Sequence, residues 1–160
     1  STMGKTTNTM KARITVPITV KITSGILGFF AVVLVYRGII APFIMNDSER
    51  NADRIVNSLI QVALGVGIMF CAVRFYQGHA RVWVMLISLC AAFVGASNLS
   101  IYFSLTPEVQ AAAVTFLVIN CVEILLAGTA FALLFTRATR EYTLKVTEEE
   151  ERELSRYAGR

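Results

Sequence analysis

The stretch Gly25-Ile-Leu-Gly-Phe-Phe-Ala-Val-Val-Leu-Val-Tyr36 is the centre of an apolar segment that runs from about residue 17 to residue 40. At a rise of about 1.5 Å per residue, roughly 20 helical residues cross the ~30 Å hydrocarbon core of a bilayer. The segment is longer than the apolar part of a secretory signal, and it continues into Arg37 without a small-residue cleavage site. It therefore predicts a retained transmembrane helix.

Three further segments have the same character and cover about residues 55–75, 82–103 and 111–136. They are apolar throughout and lack the alternation of polar and apolar residues that the strands of a membrane β-barrel show. The loops between them are short, so consecutive helices must be antiparallel neighbours. The sequence therefore predicts an all-α membrane protein, in which residues 17–136 form an antiparallel bundle of four transmembrane helices.

The composition agrees with a chain that lipid surrounds. Of the 160 residues, 55% are hydrophobic and 16% are charged, with a mean hydropathy of +0.61, whereas about a quarter of a soluble domain is charged. The net charge is +4, but the basic residues flank the apolar segments and form no patch of their own. This distribution predicts contact with membrane lipids and no binding of nucleic acid.

The basic residues also predict the orientation of the chain. Most lysines and arginines are expected on one side of the membrane. The other side holds only Arg37, Arg50 and Arg54, which are interspersed with acidic residues. Because positive residues stay in the cytoplasm, both termini are expected there. The cytoplasmic set is Lys5, Lys11, Arg13, Lys21, Arg74, Arg81, Arg137, Arg140, Lys145, Arg152, Arg156 and Arg160.

Two segments are expected outside the membrane on this cytoplasmic side, a basic N-terminal segment over residues 1–16 and a tail over residues 137–160. In the tail, Thr147 and Glu150 have the spacing of a capping box, which predicts a short helix that begins at Thr147. Leu154 and Tyr157 lie three residues apart on that helix and offer a surface on which a partner could dock.

The sequence predicts no cofactor, no metal and no enzyme activity. His79 is the single histidine, and the three cysteines lie inside apolar segments at spacings that match no metal site. A structural zinc site or a bis-histidine haem site needs more ligands than these. No set of acid, base and nucleophile converges within the predicted spans.

Glu123 is the most informative single residue. It lies near the middle of the fourth apolar segment, about 16–18 Å from the outer end, where a carboxylate is costly and marks a candidate site. Asn120, Asn98, Gln61 and Arg37 are expected in the same outer half, while the cytoplasmic half is expected to be almost purely apolar. These residues predict either a binding site that opens to the outside or a polar contact between helices.

Small residues four positions apart mark faces where helix backbones can approach closely in lipid. Such faces build either the internal bundle or an interface with a second copy or another membrane protein. The predicted helix-packing residues are Ser24 and Gly28 in the first segment, Ala63 and Gly67 in the second, Ser88, Ala92, Gly95 and Ala96 in the third, and Gly128 in the fourth.

Three functions are compatible with these features. The favoured one is an accessory or assembly subunit of a larger membrane protein complex, which binds partner helices or lipid. The second is a small oligomeric transporter or channel that uses Glu123 and the polar layer, and the third is a membrane enzyme that acts on lipid-linked substrates. Short loops without disulfides and a strict charge bias favour a bacterial plasma membrane.

Overall fold

The structure is a computed structural model that describes residues 14–44 and 52–158, with side chains from 14 to 40 and from 55 to 158. The predicted N-terminal segment before Ile14 and the loop that holds Arg50 lie outside the described residues, as does Arg160. All regular elements of the described ranges are helices. They are α1 (Ile18–Ile44), α2 (Ala52–Tyr76), α3 (Arg81–Ser104), α4 (Pro107–Ala112), α5 (Val114–Leu133) and α6 (Arg137–Ala158).

Four of these helices, α1, α2, α3 and α5, are long and apolar enough to cross a membrane. Their apolar parts cover Ile18–Ile40, Ile55–Tyr76, Arg81–Ser104 and Val114–Leu133. Most of their large apolar side chains face outward, as expected where lipid replaces water as the solvent. The prediction of four apolar helices of membrane-spanning length is confirmed.

Helices α1 and α2 form an antiparallel pair whose backbones approach closely at two glycines. A Cβ atom on Gly38 would lie 2.7 Å from the Ser58 carbonyl oxygen, and one on Gly65 would lie 2.9 Å from the Ala31 carbonyl oxygen. Any side chain at either glycine would hold the two helices apart. This pair is the most extensive helix contact in the described chain.

Helices α3 and α5 form the second antiparallel pair. Gly95 is buried on α3, and a Cβ atom there would lie 2.7 Å from Cγ1 of Ile124 on α5. The two pairs contact each other less extensively, α1 through α5 and α2 through α3. The four long helices therefore pack chiefly as two hairpin-like pairs.

The largest cluster of buried side chains lies where α1 and α3 begin and where α2 and α5 end, which we call the basic end. Helices α1, α2, α3 and α6 contribute to this cluster together with Leu134, which directly follows α5, so it is the place where the two pairs are joined. Its buried members are Val20, Leu27, Ala72, Phe75, Val84, Leu134 and Tyr142.

The fourth apolar segment is shorter than predicted. A break at Ala113 separates α4 from α5, and α5 ends at Leu133, three residues before the predicted end. The chain tightens there, because the amide N–H groups of Leu134, Phe135 and Thr136 donate to carbonyls three residues earlier. At the other end, Pro107 lies in the first turn of α4 as predicted, but the Thr106 side chain makes no capping hydrogen bond.

Helix α6 begins at Arg137, so the predicted start at Thr147 is wrong. The residue before α6, Thr136, accepts a hydrogen bond from the Thr139 amide N–H at 3.4 Å and thereby caps the helix. Thr147 lies inside α6, where its hydroxyl donates to the Thr143 carbonyl oxygen at 3.0 Å. The resulting helix has 22 residues and is about 33 Å long at ~1.5 Å per residue.

The turn between α2 and α3 ends α2 in a Schellman arrangement. His79 N–H donates to the Arg74 carbonyl at 2.9 Å, and Gly78 N–H donates to the Phe75 carbonyl at 2.9 Å. This arrangement needs a left-handed residue, and Gly78 supplies it with φ of 93°. Val146 of α6 packs directly against Gly78, so the turn also forms part of the surface on which α6 lies.

Candidate functional site

Asn98 and Asn120 form a polar contact inside the apolar helices. The Asn98 Nδ2 group donates to Asn120 Oδ1 at 2.9 Å, and Asn120 Nδ2 donates to the Phe116 carbonyl oxygen at 2.7 Å. Asn120 is buried and Asn98 is half-buried. Two of the predicted site residues are therefore direct partners, and their amides satisfy each other across the α3–α5 contact.

Glu123 is the half-buried member of an otherwise buried face of α5. Ala130 and Ala127 are fully buried on that face, whereas Glu123, one turn further from the basic end, is half-buried. Within residues 14–44 and 52–158 the carboxylate makes no hydrogen bond, but Arg37 of α1 is close enough for its charge to attract it. The Arg37 guanidinium and the Glu123 carboxylate therefore attract each other through their charges, but they form no ion pair within 4.0 Å in the described chain.

Gln61 is not brought into this site. It is half-buried on α2, next to Val62, whose side chain packs against Gly38. No hydrogen bond joins Gln61 to the other candidates in the described part of the chain. The structure thus joins Asn98 to Asn120 by a hydrogen bond and brings Arg37 near Glu123 without an ion pair in the described chain.

The predicted small-residue faces divide into inward and outward groups. Ser88 and Gly95 are buried in α3, and Ser24, Gly28 and Ala92 are half-buried. The outward group is exposed and consists of Ala63, Gly67, Ala96 and Gly128. A Cβ atom added to Gly28, Gly67 or Gly128 would meet no other atom within 4 Å, so these glycines are not used in the contacts between the helices of this chain.

The close approach of α1 and α2 uses Gly38 and Gly65, which the search for pairs four residues apart did not identify. Each lies seven residues from another small residue, Gly38 from Ala31 and Gly65 from Ser58. Seven residues are two helical turns, so such pairs also share one face. A search at this second spacing finds both positions in the sequence.

The basic half of the long helices, which was predicted to be almost purely apolar, contains two buried hydroxyl side chains. Thr23 and Ser88 are fully buried there, and their hydroxyl oxygens have no hydrogen-bond partner. At the end of the helices, Thr19 and Thr139 are joined through their hydroxyls at 2.9 Å. The sequence pattern identified Ser88 as a helix-packing residue but did not identify Thr23, because a single hydroxyl changes the mean hydropathy of an apolar run little.

Helix α6 is held on the basic end by side chains that sequence reasoning did not assign to any site. The Tyr142 hydroxyl donates to the Tyr76 carbonyl at 2.7 Å, and burial of the phenol raises the pKa of Tyr142. His79 Nε2 donates to Glu150 Oε2 at 2.9 Å. These two contacts fasten α6 to the end of α2 and to the turn that follows it.

Groups of His, Cys, Asp and Glu side chains able to hold a metal ion are not found among the described residues. The polar side chains described above make contacts between helices and contacts at the ends of the long helices. The chain matches no known protein-family model, no curated protein and no solved structure.

Proposed function

We propose that the protein is a small integral membrane subunit that assists the assembly of a larger membrane protein complex. Its four long helices form an antiparallel bundle with both termini in the cytoplasm, and it binds partner helices through its outward small-residue faces.

The observation that carries this proposal is the empty space beside Gly67 and Gly128. Both glycines are exposed in the middle of apolar helices, with no atom within 4 Å of a Cβ position. In lipid, helices associate by close backbone packing at small residues. Because α1 and α2 meet at Gly38 and Gly65, the Gly67 face stays available for a helix of another chain.

The charges support the proposed orientation. Arg74, Arg81, Arg137 and Arg140 all lie at or beside the basic end, where α6 also lies. Arg81 is partly buried there, donates to the Leu134 carbonyl oxygen at 2.7 Å and stacks over the Phe135 ring. The positive-inside rule assigns such an end to the cytoplasm, and the compact helical hairpins suit a bacterial plasma membrane.

Copurification in mild detergent from the native membrane tests this function. The tagged chain should bring down a larger membrane protein in stoichiometric amount, and Gly67→Leu should reduce its recovery because the new side chain fills the contact face. Val66→Leu is the matched control, since Val66 is exposed on the next position of α2. A homogeneous homo-oligomer without a larger partner, or equal recovery with both variants, would contradict the proposal.

A second candidate is a small oligomeric transporter or channel, which the position of Glu123 favours. An ionisable side chain in the middle of a span marks an ion or proton pathway by default. In proteoliposomes, Glu123→Gln should then abolish proton or sodium flux while the protein still inserts and folds. Glu108→Gln, which removes an exposed carboxylate outside the long helices, is the control. Flux that persists in Glu123→Gln excludes this candidate.

A further inference from the structure

A groove of about 540 Å³ runs between α6 and the extended residues that precede α1. Its apolar surface comes from Ile14 and Pro17 on one side and from Ala138 and Tyr142 on the other. Charged side chains of α6 line the rest, namely Glu141, which is paired with Arg137, and Lys145, Glu148, Glu149 and Arg152. A volume of this size falls in the range that small-molecule sites occupy.

The four charged residues that follow Glu141 along this side of α6 come in the order positive, negative, negative, positive. Lys145 and Arg152 are seven residues, or about two helical turns, apart, and the adjacent Glu148 and Glu149 lie between them. Although Lys145 and Glu149 have the spacing of a helical ion pair, no ion pair within 4.0 Å forms between these four in the described chain. The preceding pair, Arg137 with Glu141, does form at 2.6 Å. The groove therefore presents both positive and negative groups that are free to bind a ligand.

The groove lies at the level of the membrane surface. Pro17, which lines it, immediately precedes Ile18, where the first membrane-spanning helix begins. This placement rests on the proposed embedding of the four helices in a bilayer, but it does not depend on the proposed partner. A ligand that enters the groove from the bilayer would bring its polar group to the charged face of α6.

We propose that this groove binds the head group of a phospholipid that carries a primary ammonium group, such as phosphatidylethanolamine. Lys145 and Arg152 bind the phosphate, Glu148 and Glu149 accept hydrogen bonds from the ammonium, and the apolar wall contacts the glycerol and the start of the acyl chains. Two carboxylates between two positive side chains match a zwitterion better than an anion, because an anionic head group would meet both carboxylates.

The same chemistry distinguishes related lipids. A choline head group keeps the positive charge but has no N–H to donate, so it loses the charge-assisted hydrogen bonds to the carboxylates. A glycerol head group has no positive charge at all. We therefore expect phosphatidylethanolamine to bind more tightly than phosphatidylcholine or phosphatidylglycerol by at least about threefold, the size expected of partly exposed charge pairs.

Native mass spectrometry of the purified full chain in mild detergent measures this preference. Each of the three lipids is added separately, and the fraction of protein that retains a lipid is counted. Glu148→Gln combined with Glu149→Gln should remove the preference for phosphatidylethanolamine over phosphatidylcholine. Lys145→Gln combined with Arg152→Gln should weaken the retention of all three phospholipids.

The matched control is Glu151→Gln combined with Arg156→Gln, which removes one charge of each sign from α6 outside the groove. All exchanged side chains are exposed, and circular dichroism checks that the variants keep their helices. Equal retention of the three lipids by the parent protein, or an equal loss in the control, would overturn the inference. Because no partner is present, this result is independent of the copurification that tests the proposed function.

Discussion

Asn98 donates a 2.9 Å hydrogen bond to Asn120 and so joins α3 to α5 between two apolar surfaces. The bond lies next to the tightest contact of the same helices, where Gly95 meets Ile124. Close packing brings the backbones together, and the amide pair then fixes which residues face each other, since a shift along the helix would leave a polar side chain unpaired in an apolar environment.

Breaking this amide pair should destabilise the α3–α5 contact. Double-mutant cycles on hydrogen bonds between membrane helices give coupling energies of about 0.6 kcal/mol on average and about 1.7 kcal/mol at most. We expect a coupling in this range for Asn98→Ala and Asn120→Ala, measured by reversible unfolding in detergent mixtures. Ser97→Ala is the control, because the Ser97 hydroxyl donates only to Phe93 of its own helix. Additive effects of the two asparagine changes would contradict the prediction.

Gly65 and Gly67 should respond in opposite ways to the same substitution. In Gly65→Ala the new methyl group would lie 2.6 Å from Val35 Cγ2 and 2.9 Å from the Ala31 carbonyl, so the α1–α2 pair must separate, at a cost of about 1–3 kcal/mol. In Gly67→Ala the new methyl group meets no atom. The free energy of unfolding should rise by up to about 1 kcal/mol, because alanine has a higher helix propensity than glycine. Thermal unfolding in detergent compares the two variants, and a stable Gly65→Ala protein would show that the pair does not need close contact there.

The four long helices could be predicted because length and hydropathy suffice for them. A bilayer demands about 20 apolar residues per crossing and satisfied backbone hydrogen bonds, and both demands are visible in the sequence. The neighbouring arrangement of α1 and α2 was predicted from the short loop, but the role of Gly38 and Gly65 in their contact was not, because many small residues occupy these helices and only the packing selects among them.

The candidate site could be predicted only in part, for a similar reason. Depth along a helix follows from residue number, so Glu123, Asn120 and Asn98 could be assigned to the apolar interior. Which side of the helix each residue occupies relative to its neighbours depends on packing angles that the sequence does not state. The start of α6 was missed because Thr136, its actual cap, follows directly on an apolar run and looks like the end of a span.

The turn between α2 and α3 holds one residue whose conformation suits glycine better. Ala80 has φ of 62°, a left-handed value that costs an alanine about 1 kcal/mol. Ala80→Gly should therefore raise the free energy of unfolding by up to about 1 kcal/mol. The gain is reduced by the greater conformational entropy that glycine gives the unfolded chain.

Gly78→Ala is the opposing change in the same turn. It adds a methyl group at φ of 93°, where the methyl would lie 2.7 Å from Val146 Cγ2. We expect a lower melting temperature and weaker attachment of α6, measured as faster hydrogen exchange of the α6 amides. An unchanged exchange rate would show that α6 does not depend on this contact.

Glu141 should titrate at a lower pH than an ordinary glutamate. Its carboxylate accepts a 2.6 Å hydrogen bond from Arg137 Nε, and this bond, together with the positive charge, lowers the pKa of Glu141. A lowered pKa means that the folded helix favours the ionised form. The stabilising effect is therefore fully present above the ordinary glutamate pKa of about 4.3 and is lost as the pH falls through the lower folded value.

Carboxyl carbon NMR of the full chain measures this titration, and Arg137→Gln should raise the pKa of Glu141 toward the ordinary value. Arg140→Gln is the control, since Arg140 is exposed and does not pair with Glu141. An equal shift in both variants would mean that the general positive charge of α6, and not the hydrogen bond, sets the pKa.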